Sequence, residues 1–538
     1  MSKSVLIRRI SYGLIEGLRS EKTNTLCWLG VPYAAPPVGA LRWRAPKPHE
    51  NWNGVRPAKK LASMSLQKGK QGLIGSEDCL YLNIYRPETE EENLPVLFFI
   101  HGGNNQTDSG AMLDGEILAE GIHAVIVSIN LRLNSLGWLN LPALKTGDPL
   151  EDSGNFGLLD ILAALNFTID NIGEFGGDVS NITACGYSSG GRDLLCMLIS
   201  PLFAGKFVRA ITFSGGFTTT NPDFGQKRAA KVIAALAVED RKAENEEKAY
   251  EWLMSAEPEV REWLYSVSGE RLAGLMAGAA IRMRVFPHLF ADGVVIPKEG
   301  FKVLEKGKCN NVPMLCFSGG HEFDFPANND PLFRTANFSD PAVEQEYRFA
   351  TKYGGYLFGY INAEQNAEKF SAVNGHAPVY VARCMWGMNP EVTDEYAAMR
   401  MGGTHGLDIY MMMGKERADY GLTENVWSKK NKSGREAMQH IYWSYLSSFM
   451  RNSNPNTEGL PIWEPWSGNG CIMKIDANCD RAIVMMSSEV VKESKVFEEL
   501  EKDRSIPEDR KKYILKNVLN GRFFSNHLDA FVEEKWPR

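Results

Sequence analysis

The stretch Ile182-Thr-Ala-Cys-Gly-Tyr-Ser-Ser-Gly-Gly191 decides the reading of this chain. Ile182 to Cys185 is a short β-type run, and Leu194, Leu195, Met197 and Leu198 after it are spaced as on an apolar helix. Between them stands Gly186-Tyr187-Ser188-Ser189-Gly190, a G-x-S-x-G pattern in which a tight strand-to-helix turn lifts a serine hydroxyl clear of the sheet. Glycines flank the serine because strand and helix pass too closely there for side chains. Ser188 is the candidate nucleophile. In a chain with 50 glycines the pattern alone is weak, so its surroundings must decide.

Working upstream, Leu94-Pro-Val-Leu-Phe-Phe-Ile100 and Ala124-Val-Ile-Val-Ser128 are continuous apolar runs, as strands buried on both faces of a parallel sheet require. Glu77 to Tyr85 alternates as a further strand. Leu158, Ile161, Leu162, Leu165, Ile169 and Ile172 recur at helical steps. Strand, helix, strand, helix predicts an α/β domain with a mostly parallel central sheet flanked by helices. The charged residues 225–305, with helices over Lys227–Leu236 and Glu246–Met254, read as a helical insertion. Val312 to Phe317 resumes the sheet, and residues 330–400 form a second mixed helical stretch. The sheet is expected to be complete by Trp466. The expected division is a main domain over 1–485 and a C-terminal helical extension over 486–538 packed on it. Within that extension Ser505-Ile-Pro-Glu508 reads as a capped helix start and Gly521 as its stop, with Tyr513, Ile514, Val518 and Leu519 as one apolar stripe.

Bulk properties narrow the function classes. With 538 residues the chain can bury a large core, and 44% hydrophobic with 23% charged residues is ordinary for a globular protein. A formal net charge of −7 gives no footprint for nucleic acid or acidic membranes. No segment reads as a signal peptide or membrane span. The nine cysteines are odd in number and scattered, with no C-x-x-C pair, which suits thiols in a reducing, cytoplasmic compartment.

A serine hydroxyl needs a base, an acid to orient that base, and donors for the oxyanion. Downstream of Ser188, Phe317-Ser-Gly-Gly-His-Glu322-Phe puts a carboxylate at a strand's carboxyl end, with Asp324 as the local rival. His405, in Gly402-Gly-Thr-His-Gly-Leu-Asp408, sits in a loop of small residues where an imidazole can stand free. Of the other histidines, His101 belongs to the loop His101-Gly-Gly-Asn104, and His288, His376 and His440 lie in less distinctive surroundings. Order along the chain favours His405 as base, with Glu322 as the acid candidate. The glycine loop can aim backbone N–H groups at a developing negative charge, together with the N–H of Ser189.

These segments resemble the type-B carboxylesterases, the group holding the cholinesterases and bacterial para-nitrobenzyl esterases. The match runs from about residue 12 to 476. It takes in Leu29-Gly-Val-Pro-Tyr-Ala-Ala-Pro-Pro-Val-Gly-Ala-Leu-Arg42, Glu77-Asp-Cys-Leu-Tyr-Leu-Asn83, Asn130-Leu-Arg-Leu133, Gly154-Asn-Phe-Gly-Leu-Leu-Asp160, Asn171 to Asp178, Phe213-Ser-Gly215, Tyr442 to Tyr445 and Asn454-Pro-Asn456. The resemblance, to a bacterial, intracellular type of member, implies an α/β-hydrolase fold and hydrolysis of carboxylic esters through an acyl-enzyme, with neither metal nor organic cofactor. Carried across, it makes Ser188 the nucleophile, Glu322 the acid and His405 the base, with Gly103, Asn104 and Ser189 as oxyanion positions and Ser214 supporting the triad from behind. Tyr187 and Ser189 replace a usual Glu and Ala, Asn104 stands where a third small residue is usual, and His321-Glu322-Phe323 replaces Asp-Glu-Gly. The partner that Cys79 has in secreted relatives falls near Ser65, so the resemblance implies that this disulfide is absent. The competing readings are a non-catalytic binding scaffold on the same fold, or the same triad acting on amide, carbamate or lactone bonds. The expected partner is a small-molecule ester. Oligomeric state, acyl-chain length and alcohol preference are not encoded in any motif.

Overall fold

A computed structural model describes residues 3–275, 287–416, 421–468, 470–520 and 526–535. The chain forms two compact units, one built from residues 1–210, 218–279 and 283–311, the other from 211–217, 280–282 and 312–538.

In the first unit, strands β1 (Leu18–Arg19), β2 (Thr25–Pro32), β3 (Tyr81–Pro87), β4 (Leu94–Ile100), β5 (Val125–Ile129) and β6 (Gly177–Tyr187) lie in the order β6-β4-β5-β3-β2-β1. β4 pairs in parallel with both β5 and β6, and the outer pairs are antiparallel. Every residue of β4 and β5 is buried, which is why both read as unbroken apolar runs. The register sets Cys185 beside Phe99 and Gly186 beside Ile100, so the ends of β6 and β4 deliver the G-x-S-x-G turn and the His101 loop side by side.

Helix Phe156–Asn171 packs beneath this sheet. Phe156–Phe175 is apolar and long enough to cross a membrane by composition and length alone, contrary to the sequence reading, but two-thirds of it (67%) is buried inside the protein. It also carries Asp160, fully buried, which accepts from Arg132 Nη2 at 2.6 Å and from the Arg132 main-chain N–H at 2.9 Å. Arg42 binds Glu77 through two 2.6 Å bonds and reaches the carbonyl of Val267 at 2.7 Å, pinning the insertion. These bidentate pairs explain why Arg42, Glu77, Arg132 and Asp160 stand out as motif residues: they hold loops rather than do chemistry. Helices Pro222–Glu239 and Glu246–Leu253 form the insertion where the sequence placed them.

Strand β7 (Arg209–Phe213) follows the elbow helix, and the second unit then lays out β8 (Met314–Gly319), β9 (Val379–Cys384) and β10 (Ile472–Ala477) in parallel. An antiparallel β11 (Ala482–Ser487) closes that edge. The sheet therefore runs past Trp466, further than the sequence suggested. β10 is interrupted by the partly exposed Lys474 and Asp476 and so lacks the apolar run that marks a central strand, whereas β11 (Ala482-Ile-Val-Met-Met486) is apolar but partly exposed throughout, as an edge strand can be.

The C-terminal helices Glu493–Lys502 and Glu508–Ile514, the π-helical turn Leu515–Leu519 and helix Asn526–Lys535 pack on helix Pro341–Gly359. Leu500, Ile514, Leu515, Val518 and Leu528 are buried against Tyr347, Phe349, Tyr353 and Leu357. Each such aliphatic side chain contributes roughly 1.5–3 kcal/mol. Arg510 adds a bidentate pair with Glu346 at 2.6 and 2.7 Å. Two details differ from the sequence reading. Pro507, not Ser505, occupies the position before the helix, because the main chain of Ser505 is turned back onto Asp503 Oδ1. Leu515, not the exposed Tyr513, completes the apolar stripe. Gly521 lies outside the described residues.

Candidate active site

The elbow is built by close packing. At Ser188 the backbone adopts φ 53°, ψ −112°, between the end of β6 and helix Ser189–Ile199. Such a conformation costs a non-glycine residue about 1–3 kcal/mol and persists only where its surroundings enforce it. A Cβ on Gly186 would lie 2.2 Å from the Gly190 carbonyl oxygen, and one on Gly190 would lie 2.3 Å from the oxygen of Ile100. Both flanking glycines are therefore dictated by contact. Ser188 is partly open to solvent, whereas Ser189 is fully buried.

The glycine loop lies against this turn. A Cβ on Gly102 would meet the Tyr187 ring at 2.7 Å and Ser188 Cβ at 3.2 Å. Gly103 has φ 88°, and its carbonyl accepts from the amides of Gln106 and Thr107 at 3.0 Å each. Asn104 (φ 58°) and Asn105 (φ 55°) follow in the left-handed region, which asparagine tolerates better than most residues. Side-chain bonds hold them there: Arg192 Nη2 donates to Asn104 Oδ1 at 2.7 Å, and Asn105 Nδ2 donates to Asp193 Oδ1 at 2.8 Å. Among the described residues, the main-chain amides of Gly103 and Asn104 have no hydrogen-bond acceptor. His101 is buried, its Nδ1 lies 2.9 Å from the Gly102 oxygen, and burial lowers its pKa, so it serves as a neutral packing group.

In the second unit Glu322 is fully buried at the end of β8. Its Oε1 accepts from the Gly319 amide and the Ser214 hydroxyl, both at 2.5 Å. Its Oε2 pairs with His405 Nδ1 at 2.5 Å and accepts from Asn362 Nδ2 at 3.3 Å. Burial by itself raises a carboxyl's pKa, but the adjacent His405 and the donors from Gly319 and Ser214 outweigh it and hold Glu322 below its ordinary value. Phe325 and Phe358 lie near-parallel to the His405 ring at 5.8 and 5.7 Å. The two residues also meet because a Cβ on Gly319 would lie 2.1 Å from the Gly403 oxygen, which brings the histidine loop onto the strand end.

Asp324, the rival carboxylate, is fully buried with neither oxygen hydrogen-bonded among the described residues, and its nearest histidine is His321 at 3.9 Å. Burial raises its pKa well above the carboxylate range. His405 thus pairs with Glu322. Ser214 touches Glu322 directly, and its amide donates to Phe317 O at 2.8 Å. Asn362 and the two phenyl rings escaped the sequence reading. Asn362 sits in the π-helical turn Tyr360–Glu364, where one extra residue turns its side chain towards Glu322, and no residue pattern announces such a turn. The nine cysteines are free thiols, and Cys79 is buried near the Ser65 hydroxyl.

A strained serine elbow on a parallel strand, beside a glycine loop, defines the protein as a serine hydrolase of the α/β-hydrolase class. Residues 4–353 match the carboxylesterase family, and the chain belongs to that family. Its relatives include liver carboxylesterase 1 of Oryctolagus cuniculus, 28% identical over 516 residues, spanning 86% of this chain and 87% of that one. The para-nitrobenzyl esterase of Bacillus subtilis is 27% identical over 491 residues, 84% of this chain and 90% of the relative. Among solved structures, a carboxylesterase of Geobacillus stearothermophilus superposes with a TM-score of 0.70 at 25% identity, covering 90% of this chain and 98% of its own. The protein is a carboxylic ester hydrolase.

Proposed function

We propose that Ser188, His405 and Glu322 act together as a triad that hydrolyses carboxylic esters through an acyl-enzyme. The observation that carries this reading is the Glu322 carboxylate: buried, ionised by its surroundings, and paired with His405 Nδ1. With Nδ1 engaged, Nε2 is the nitrogen available for proton transfer. In the first step Ser188 Oγ attacks the ester carbonyl as its proton passes to His405 Nε2, and Glu322 stabilises the imidazolium. The carbonyl electron pair moves onto oxygen, where the amides of Gly103, Asn104 and Ser189 receive it. One such donor contributes about 2.7–4 kcal/mol. The tetrahedral centre collapses, the alcohol leaves with the proton from Nε2, and water repeats the sequence on the acyl-enzyme.

The test is turnover of 4-nitrophenyl butyrate together with labelling by a fluorophosphonate probe. Ser188→Ala is expected to remove both while keeping the wild-type melting temperature. Labelling retained in that variant would remove Ser188 from the mechanism. Lactone and anilide substrates run alongside separate the ester reading from action on other acyl bonds.

A further inference from the structure

Ester hydrolysis at a serine elbow requires no charge beside the nucleophile, yet the elbow helix carries Arg192 in its first turn and Asp193 directly after it. Arg192 stands four residues after Ser188, so the two share one face of that turn. The amide of Arg192 donates to the Ser188 carbonyl at 3.1 Å, which fixes its backbone to the nucleophile. Its guanidinium extends to the glycine loop and donates to Asn104 Oδ1 at 2.7 Å, placing a cation one side chain away from the amides of Gly103 and Asn104. Accessibility singles out the same position. Ser189, Gly190, Gly191 and Asp193 are closed off, whereas Ser188 and Arg192 remain partly open, as does Gly103 in the facing loop.

The electrostatics of the turn favour an incoming anion. Burial brings Arg192 down to about 10, which leaves it charged at neutral pH. Burial pushes the Asp193 carboxyl up to about 7, and its Oδ1 is turned to Asn105, so it is a weak counter-charge. A guanidinium presents its N–H donors in a planar fork that matches a carboxylate, and Arg192, whose guanidinium reaches Asn104, is partly open to solvent.

We propose that Arg192 is a substrate-binding residue, and that the ester this site prefers carries a carboxylate close to its scissile bond. The proposal rests on Ser188 being the nucleophile. The carboxylate can belong to the acyl half, as in a monoester of a dicarboxylic acid, or to the alcohol half, and the chemistry recognised is the same.

Two matched pairs test it. Mono-4-nitrophenyl adipate is compared with 4-nitrophenyl hexanoate, and 3-carboxy-4-nitrophenyl butyrate with 4-nitrophenyl butyrate, using wild type, Arg192→Gln, Arg192→Lys and Ser188→Ala. The quantity read is the ratio of kcat/KM for the charged ester to that for its neutral partner, from which any general weakening of the Asn104 loop cancels. In wild type the ratio is expected to exceed 1 in one pair, and Arg192→Gln to lower it at least 10-fold in that pair, which also identifies the half that carries the carboxylate. Arg192→Lys, which keeps the charge but not the fork, is expected to fall between, and it replaces the Gln variant if that chain fails to give a wild-type-like melt. A ratio unchanged within threefold in both pairs would overturn the proposal and leave Arg192 as a brace for Asn104, and so would a wild-type preference for the neutral ester in both pairs. Turnover surviving in Ser188→Ala would instead overturn the nucleophile assignment beneath it.

Discussion

Replacing Gly190 with alanine tests the elbow with a single methyl group. The added Cβ would stand 2.3 Å from the Ile100 oxygen, 2.5 Å from the His101 oxygen and 2.7 Å from the Ile100 carbonyl carbon. Comfortable separations are about 3.5 Å, so helix and loop must part by on the order of 1 Å. Every atom met is main chain, so no rotamer change relieves the contact. Overpacking of this kind costs about 1–3 kcal/mol in stability. The larger effect falls on chemistry, because the atoms displaced belong to the end of β4 and the start of the loop carrying Gly103 and Asn104. A misplacement of about 1 Å is worth about 100-fold in rate. Gly190→Ala is therefore expected to lower kcat/KM on 4-nitrophenyl butyrate about 100-fold, while the melting temperature falls by only a few degrees. Gly173→Ala is the control, since a Cβ there meets nothing within 4 Å, and it is expected to match wild type in both measurements. Gly190→Ala with activity within threefold of wild type would refute the argument that close approach of helix to loop shapes the site.

Two further outcomes follow from the buried carboxylates. Glu322→Gln keeps the shape but removes the charge facing His405, and kcat/KM is expected to fall at least about 10³-fold; Asp324→Asn, at a carboxyl that burial pushes towards its neutral form and that accepts no hydrogen bond among the described residues, is expected to stay within threefold, and the opposite ranking would make Asp324 the acid. Asp193, raised to about 7, binds its proton in the folded protein between about pH 4 and 7 where the unfolded chain has released it, so stability falls as pH rises across that window. The penalty at pH 8 reaches about 4 kcal/mol at most. Asp193→Asn is thus expected to melt higher than wild type at pH 8.5, with the advantage shrinking towards pH 4.5, and a difference independent of pH would remove this ionisation from the account.

Much of the site is legible in the chain because its constraints are local. The G-x-S-x-G turn is fixed by two glycines whose Cβ atoms would strike main chain within a few ångströms, and buried central strands such as Leu94–Ile100 declare themselves as unbroken apolar runs. Arg42, Glu77, Arg132 and Asp160 are visible for a different reason, since a buried ion pair tolerates no one-sided change. Strand Ile472–Ala477 is not visible because the partly exposed Lys474 and Asp476 break its apolar run, and the edge strand Ala482–Ser487, though uncharged, is partly exposed along its length and follows a segment that does not read as sheet.

What the sequence determined by itself, then, is the order of nucleophile, acid and base candidates along an α/β chain and the family to which those motifs belong. Read from the residues alone, Glu322 keeps Asp324 as a rival two positions on, and the family resemblance is what makes Glu322 the acid. What only the tertiary structure provides is their environments: the fold brings the Gly319 amide, Ser214, Asn362 and His405 onto the Glu322 carboxylate and leaves Asp324 with no donor among the described residues. The Asn362 contact, the phenyl rings beside His405 and the reach of Arg192 to Asn104 belong to the same category. Each joins residues between 40 and 88 positions apart in the chain, and desolvation acts on where a group ends up, which no spacing along the chain records.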